Sequence, residues 1–209
     1  AAFTLLAINI FWSFAYQSQS GTNEQMMEDR WTESYKKIVT TPIRPLEYLF
    51  GKIFFGFLIT VISFLITLIT AYFLFNYTVI LQYWIYFLIL SIIVLVTSIS
   101  ITIYLASLIT MIGNEYGFLS WSIMQMVILF SAPFFPVDLY PGILKIISQF
   151  IPYSWVFESI RMLLTQGYVN INFLINSGVL AIFYLGLSIP FYSWAFNKAR
   201  KTGKLIKIW

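Results

Sequence analysis

The sequence predicts an all-helical integral membrane protein, a polytopic bundle of spanning helices. Three observations predict it. Of 209 residues, 60% are apolar and only 10% charged, where soluble domains carry about 25%, so the charges are too few to coat a water-facing surface. The mean hydropathy is +0.84, and apolar runs close to the ~20 residues that cross a hydrocarbon core recur along the chain. Lys and Arg collect in particular connecting segments and are absent from others.

Five spans are expected, at about 1–16, 51–75, 83–112, 117–135 and 173–196. The opening stretch AAFTLLAINIFW has neither Met nor a basic leader and is not a signal peptide. It reads as the inside of a spanning helix, so the first span is expected to be truncated. The third is long enough to tilt. Residues 136–172 are less apolar and hold Pro136, Pro141 and Pro152 with Asp138, Lys145, Glu158 and Arg161. Proline removes an N–H and clashes with the preceding turn, so short half-helices are expected here, over 142–150 and 154–166, rather than a sixth crossing.

Orientation follows from the basic residues. The first connection carries Arg30, Lys36, Lys37, Arg44 and Lys52, and the tail carries Lys198, Arg200, Lys201, Lys204 and Lys207. Region 136–172 has only Lys145 and Arg161, and the other two connections have none. Residues 17–50 and 197–209 are therefore expected in the cytoplasm and 136–172 outside. With a net charge of +4, the tail reads as an anchor on anionic membrane lipid. No nucleic-acid partner is expected.

Within the first connection, a helix is expected over 22–39. Thr22 and Gln25 form a capping-box pattern. Glu24, Glu28 and Asp29 near its start and Lys36 and Lys37 near its end suit the helix dipole, and Glu33 with Lys37 makes an i,i+4 pair. Pro42 disfavours helix at Thr41 and ends it. Met27, Trp31, Tyr35 and Ile38 then share one face, which either rests on lipid headgroups or docks a soluble partner. Pro42 and Pro45 stiffen the return, and Gly51 and Lys52 mark where the chain goes back into the membrane. Such a link transmits a push from a surface helix to a spanning one.

Absences narrow the function. There is no Cys and no His, so thiolate chemistry and the commonest general base are missing. The four complete spans hold no Asp, Glu or His, which argues against a proton relay and hence an ion-coupled transporter. No G-x-x-x-x-G-K-[ST] loop occurs, since Gly51-Lys52 and Gly203-Lys204 lack the upstream Gly. The energy source is then expected in another chain. Glu158 and Arg161 read as an ordinary i,i+3 helix pair rather than an enzyme site, and no catalytic, cofactor or metal residue is expected. The aromatic residues, 20% of the chain, read mostly as interfacial belts. Gly113 and Gly117 form a GxxxG at a predicted turn, and Thr60, Ser63, Thr67 and Thr70 form a polar stripe on a span. A structural or sensory membrane protein that transports nothing remains the alternative.

Two clusters of residues carry a family resemblance. The first is Arg30, Thr40-Thr41-Pro42-Ile43, Leu46-Glu47-Tyr48-Leu49 and Gly51-Lys52. The second is Phe135-Pro136, Pro141-Gly142, Pro152 and Glu158-Ser159-Ile160-Arg161. Together, in this order on this plan of spans, the chain resembles the membrane subunit of an ABC-2 type exporter, most closely the daunorubicin-type drug exporters. The resemblance implies a six-span prokaryotic plasma-membrane permease whose first span is missing here. It implies a homodimer beside a separate ABC ATPase that binds ATP and Mg. It makes the 22–39 helix a coupling helix and 136–172 external half-helices. The cargo would be a drug, a lipid or a lipid-linked glycan.

Overall fold

In a computed structural model that describes residues 2–32, 34–112 and 118–202, the chain is helical throughout, with no strand among the described residues. Helix α1 is Ala2–Trp31, α2 Ser34–Thr40, α3 Pro45–Phe75, α4 Val79–Gln82 and α5 Trp84–Ile112. Helix α6 is Phe118–Phe130; a 3-10 turn at Val137–Leu139 leads to α7 Gly142–Gln149, α8 Pro152–Gln166 and α9 Ile171–Lys201. Among the described residues three helices, α3, α5 and α9, are long and apolar enough to cross a membrane, against the five spans expected.

The long helices alternate in direction. The start of α1 meets the end of α3, where the Tyr77 hydroxyl donates to Phe3 O at 3.2 Å. The end of α1 meets the start of α3, where Lys52 reaches Asp29. Helices α1, α5 and α9 run one way and α3 the other. One end of the bundle therefore collects Lys37, Arg44, Lys52, Lys198 and Arg200, and is called the basic end below; the other is the far end.

Helices α1, α6 and α3 differ from the sequence expectation. The first span does not stop at residue 16, and no new helix starts at Thr22. Helix α1 continues for 30 residues, about 45 Å, and Thr22 is buried in its middle, 2% exposed. The expected 22–39 helix is thus the last turns of α1, a break at Thr32, and the separate seven-residue α2. At the break the Thr32 N–H and hydroxyl both donate to Glu28 O, at 2.9 and 2.8 Å. Helix α6 ends at Phe130, short of the expected 135, and its 13 residues span about 20 Å, against a hydrocarbon core of about 30 Å. Helix α3 starts at Pro45, so Gly51 and Lys52 lie inside it rather than at its edge. Glu33 of the Glu33–Lys37 pair, Gly113 with Gly117, and residues 203–209 of the tail, with Gly203-Lys204 and Lys207, lie outside the described residues.

Two apolar clusters fill the bundle. The far-end cluster joins Phe11 and Phe14 of α1, Leu90 and Val94 of α5, Met124 and Ile128 of α6, and Tyr153, Phe157 and Ile160 of α8. The basic-end cluster joins Met26, Leu49, Ile53, Ile103, Tyr192 and Phe196. Between them α1 buries Ser18, Gln19, Thr22 and Asn23, with Thr22 facing Gly56 of α3. Thr60 and Thr67 return their hydroxyls to Gly56 O and Ser63 O at 2.7 and 2.9 Å, so the polar stripe on this span serves its own backbone.

Gly56 sets the α1–α3 approach: a Cβ there would lie 2.4 Å from Thr22 Oγ1. Gly56→Ala is expected to destabilise the bundle by about 1–3 kcal/mol through overpacking. Adding Thr22→Ala should recover part of that loss, read as the thermal unfolding midpoint in detergent by circular dichroism.

Candidate functional site

At the basic end the chain makes an elbow, α1–α2–α3, whose corners are closed by side chains. Helix α2 ends where the Thr40 hydroxyl donates to Lys37 O at 2.7 Å and the Thr41 hydroxyl to Ile38 O at 2.6 Å; Ile38 O also takes the Thr41 N–H at 3.1 Å, which tightens the last turn. Pro42 follows and holds Thr41 out of the helical region. Helix α3 restarts with Pro45 in its first turn, where its missing N–H costs nothing. Glu47 Oε2 accepts from the Arg44 N–H at 3.0 Å. The TTP and RPxE patterns are thus a helix stop and a helix start, three residues apart.

The elbow is tied to α1 by one carboxylate. Asp29 Oδ2 accepts from Tyr48 Oη at 2.8 Å and from Lys52 Nζ at 2.7 Å. Tyr48 and Lys52 stand one turn apart on α3 and so reach the same atom. The pair is largely buried, with Lys52 and Asp29 side chains 23% and 17% exposed. Asp29 lies in the last turn of α1, where the helix dipole disfavours an acid. The dipole argument for a 22–39 helix therefore reverses: the acid is held there by its partners on α3.

Surface clefts flank the elbow. One, of about 280 Å³, lies among Ile38, Pro42, Arg44, Tyr48, Phe196 and Arg200. A broader groove of about 730 Å³ runs along Glu28, Asp29, Glu47, Lys52 and Phe55. The first is basic and the second mainly acidic. Of the residues expected on one docking face, Trp31 is 64% exposed and Met27 is 5% exposed. The break at Thr32 separates both from Ile38 on α2, so the single stripe does not form. The side chains of Arg30 and Tyr35 lie outside the described residues. Gly51 carries no packing constraint, since a Cβ there meets nothing within 4 Å.

The far end is built around a half-helix. The Tyr153 hydroxyl lies 2.7 Å from the Ser98 hydroxyl, which sits 3.3 Å from Ala15 O. Ser98 is near the middle of the 29-residue α5, and the Tyr184 hydroxyl, near the middle of α9, donates to Phe150 O at 2.8 Å. The α7–α8 turn therefore reaches mid-depth, and α8 climbs back to the far end, stopping at Gly167 with φ +78. Pro152 begins α8 there, buried, without an N–H to satisfy. The expected half-helices are present, and the second is a core element, with Tyr153, Val156, Phe157 and Ile160 at most 1% exposed.

Three side chains satisfy the end of α6. Leu129 O accepts from the Tyr140 hydroxyl at 2.8 Å and Phe130 O from the Ser148 hydroxyl at 2.6 Å. Ala132 O and Pro133 O, the latter at 2.9 Å, accept from Arg161 Nη2. Ala132 takes φ +55, uncommon for a residue with a Cβ. Glu158 Oε1 accepts from the Val137 N–H at 2.8 Å and pairs with Arg161 Nη1 at 2.7 Å. Glu158 and Arg161 are therefore more than an i,i+3 pair: they clasp the α6 end and the proline loop onto α8. Pro136 and Pro141 start the 3-10 turn and α7, and a Cβ at Gly142 would meet nothing.

The family model for ABC-2 family transporter proteins matches residues 1–194. The chain belongs to that family. No curated protein and no solved structure matches it significantly. Nearly all of the described bundle, including both the elbow and the clasp, falls within the matched residues of this ABC-2 membrane subunit. Sequence reasoning missed Asp29 and Tyr48 as partners of Lys52; the signal was an acid at a helix end, legible only once that end is known.

Arg161→Met in this ABC-2 subunit leaves Glu158 buried beside an apolar side chain and frees two carbonyls. It is expected to cost about 3–5 kcal/mol, measured by thermal unfolding. Glu158→Gln/Arg161→Met should cost less than Arg161→Met alone.

Proposed function

We propose that this ABC-2 subunit forms the pathway of an ATP-driven exporter and receives its drive at the basic end from a separate ATPase chain. The observation that carries the reading is the junction of Asp29 with Tyr48 and Lys52. It joins two helices of about 45 Å at the elbow, so force applied to α2 reaches α1 and α3 together. The exposed Trp31 at the tip of α1 and the clefts beside Pro42 and Arg200 supply a surface for the partner. The positive-inside rule puts this end in the cytoplasm, where an ATPase binds ATP and Mg. Export rather than uptake, a homodimer in the plasma membrane of a prokaryote, and a drug, lipid or lipid-linked glycan as cargo follow from the family resemblance.

An apolar pocket of about 220 Å³ supports an apolar or amphipathic cargo. It lies at mid-depth between Thr97, Ile101 and Tyr104 of α5, Val127 of α6, Pro152 and Tyr184. Small apolar sites of this kind accept hydrocarbon with few directional demands.

Two variants test the coupling. Trp31→Glu is expected to weaken co-purification of the ATPase about tenfold or more, as loss of an exposed aromatic anchor does. Asp29→Asn should keep the ATPase bound and lower ATP-dependent transport in vesicles by about tenfold, the rate equivalent of one charged hydrogen bond. Unchanged association in the first and unchanged transport in the second would remove the elbow from the mechanism.

A further inference from the structure

The far end holds a pocket of about 290 Å³ between the 3-10 turn, α7, α8 and the start of α9, which shares Val137 and Glu158 with the clasp and which the transport reading does not use. Trp155 and Phe173 form an aromatic corner, their ring centroids 5.2 Å apart and planes at 52°. Trp155 is fixed by its Nε1–H donating to Gln149 O at 2.9 Å. Ser154, 2% exposed, belongs to the same lining, and its buried hydroxyl has no hydrogen-bond partner. Glu158 gives Oε1 to both of its bonds, leaving Oε2 for another donor. On the opposite wall Lys145 pairs with Asp138 at 2.6 Å.

Each wall selects a chemical group. An aromatic corner beside a carboxylate attracts a cation through the ring faces. A buried hydroxyl and a spare carboxylate oxygen call for N–H donors, because an unmet buried polar group destabilises the fold. A primary ammonium supplies those donors and a quaternary one does not. The Lys145–Asp138 pair is exposed, with side chains 40% and 86% accessible, so it contributes little and Lys145 can turn to an incoming phosphate.

We propose that this pocket binds a phosphoethanolamine headgroup, with the ammonium held by Trp155, Phe173, Ser154 and Glu158 and the phosphate on Lys145. The residues that border it along the chain, Leu139, Ile146, Phe150 and Ile171, are apolar and exposed. They suit acyl chains and make a membrane lipid the source. The site is independent of the coupling at the basic end, and a failure of either leaves the other standing.

The test is native mass spectrometry of the purified full chain, delipidated in detergent and titrated with phosphatidylethanolamine, phosphatidylcholine and phosphatidylglycerol of matched acyl chains. The ethanolamine lipid is expected to bind about tenfold more tightly than the other two, the value of one charged hydrogen bond. Ser154→Ala, Phe173→Leu and Lys145→Met should each reduce that preference while the thermal unfolding midpoint of Ser154→Ala stays near that of the parent. No preference in the parent, or a preference unchanged in all three variants, overturns the proposal. Soluble phosphoethanolamine is expected to compete weakly; binding as tight as that of the lipid overturns the lipid source and assigns the site to the free compound.

Discussion

A helix that stops inside an apolar bundle leaves its last carbonyls without partners, and the far half of this molecule is organised around that constraint. Helix α6 ends at Phe130 after 13 residues. Its Leu129 and Phe130 carbonyls are met by Tyr140 and Ser148, and Arg161 takes the Ala132 and Pro133 carbonyls in the turn just beyond it. Those donors come from the proline loop, α7 and α8, so the three segments are committed to one arrangement by the demands of a fourth. Arg161 is itself a charge in a poorly hydrated place, and Glu158 neutralises it while taking the Val137 N–H. Removing any one group strands another, which makes this a cooperative unit rather than a set of separate bonds.

The basic end solves a different problem. Water is close, so helix ends there do not force the architecture. Instead one carboxylate, Asp29, fixes the angle between two long helices through two donors on successive turns of α3. The layer of buried Ser18, Thr22 and Asn23 between the apolar clusters lies just above that junction, and Gly56 lets α3 approach it. Small polar side chains at a close helix crossing are a common way to pack helices where lipid offers no hydrophobic drive.

Much of this was legible in the residues. Helices α3, α5 and α9 are long apolar runs, and α5 coincides with the expected 83–112 to one residue. Pro141 and Pro152 marked the starts of α7 and α8 because a proline restricts where a helix can begin. The course of α1 was not legible, since a run such as Gln17–Asn23 looks like a connection when only its polarity is seen. Ser18, Gln19, Ser20, Thr22 and Asn23 of it are buried, Thr22 against Gly56 of α3, and a partner on another helix leaves no periodic trace. The early end of α6 was hidden for the converse reason: residues 131–135 remain apolar, and the turn depends on Ala132 adopting φ +55 under the hold of Arg161. The docking stripe failed with the helix that was to carry it, whereas Thr41, Pro42 and Lys52 kept a place at the elbow.

The depth of α8 has a consequence for biosynthesis. The half-helix packs against α1, α5 and α9, and its deepest turn is held by Ser98 from before it and Tyr184 from after it in the chain. A ribosome delivers α9 after α8, so α8 leaves the tunnel before its cradle is complete. With Ser154, Glu158 and Arg161 along only 15 residues, it is too short and too polar to be retained by lipid on its own. It must wait at the membrane surface until α9 is threaded and then sink between helices already in place. The seating of α8 thus comes after the translation of a helix that follows it in the chain.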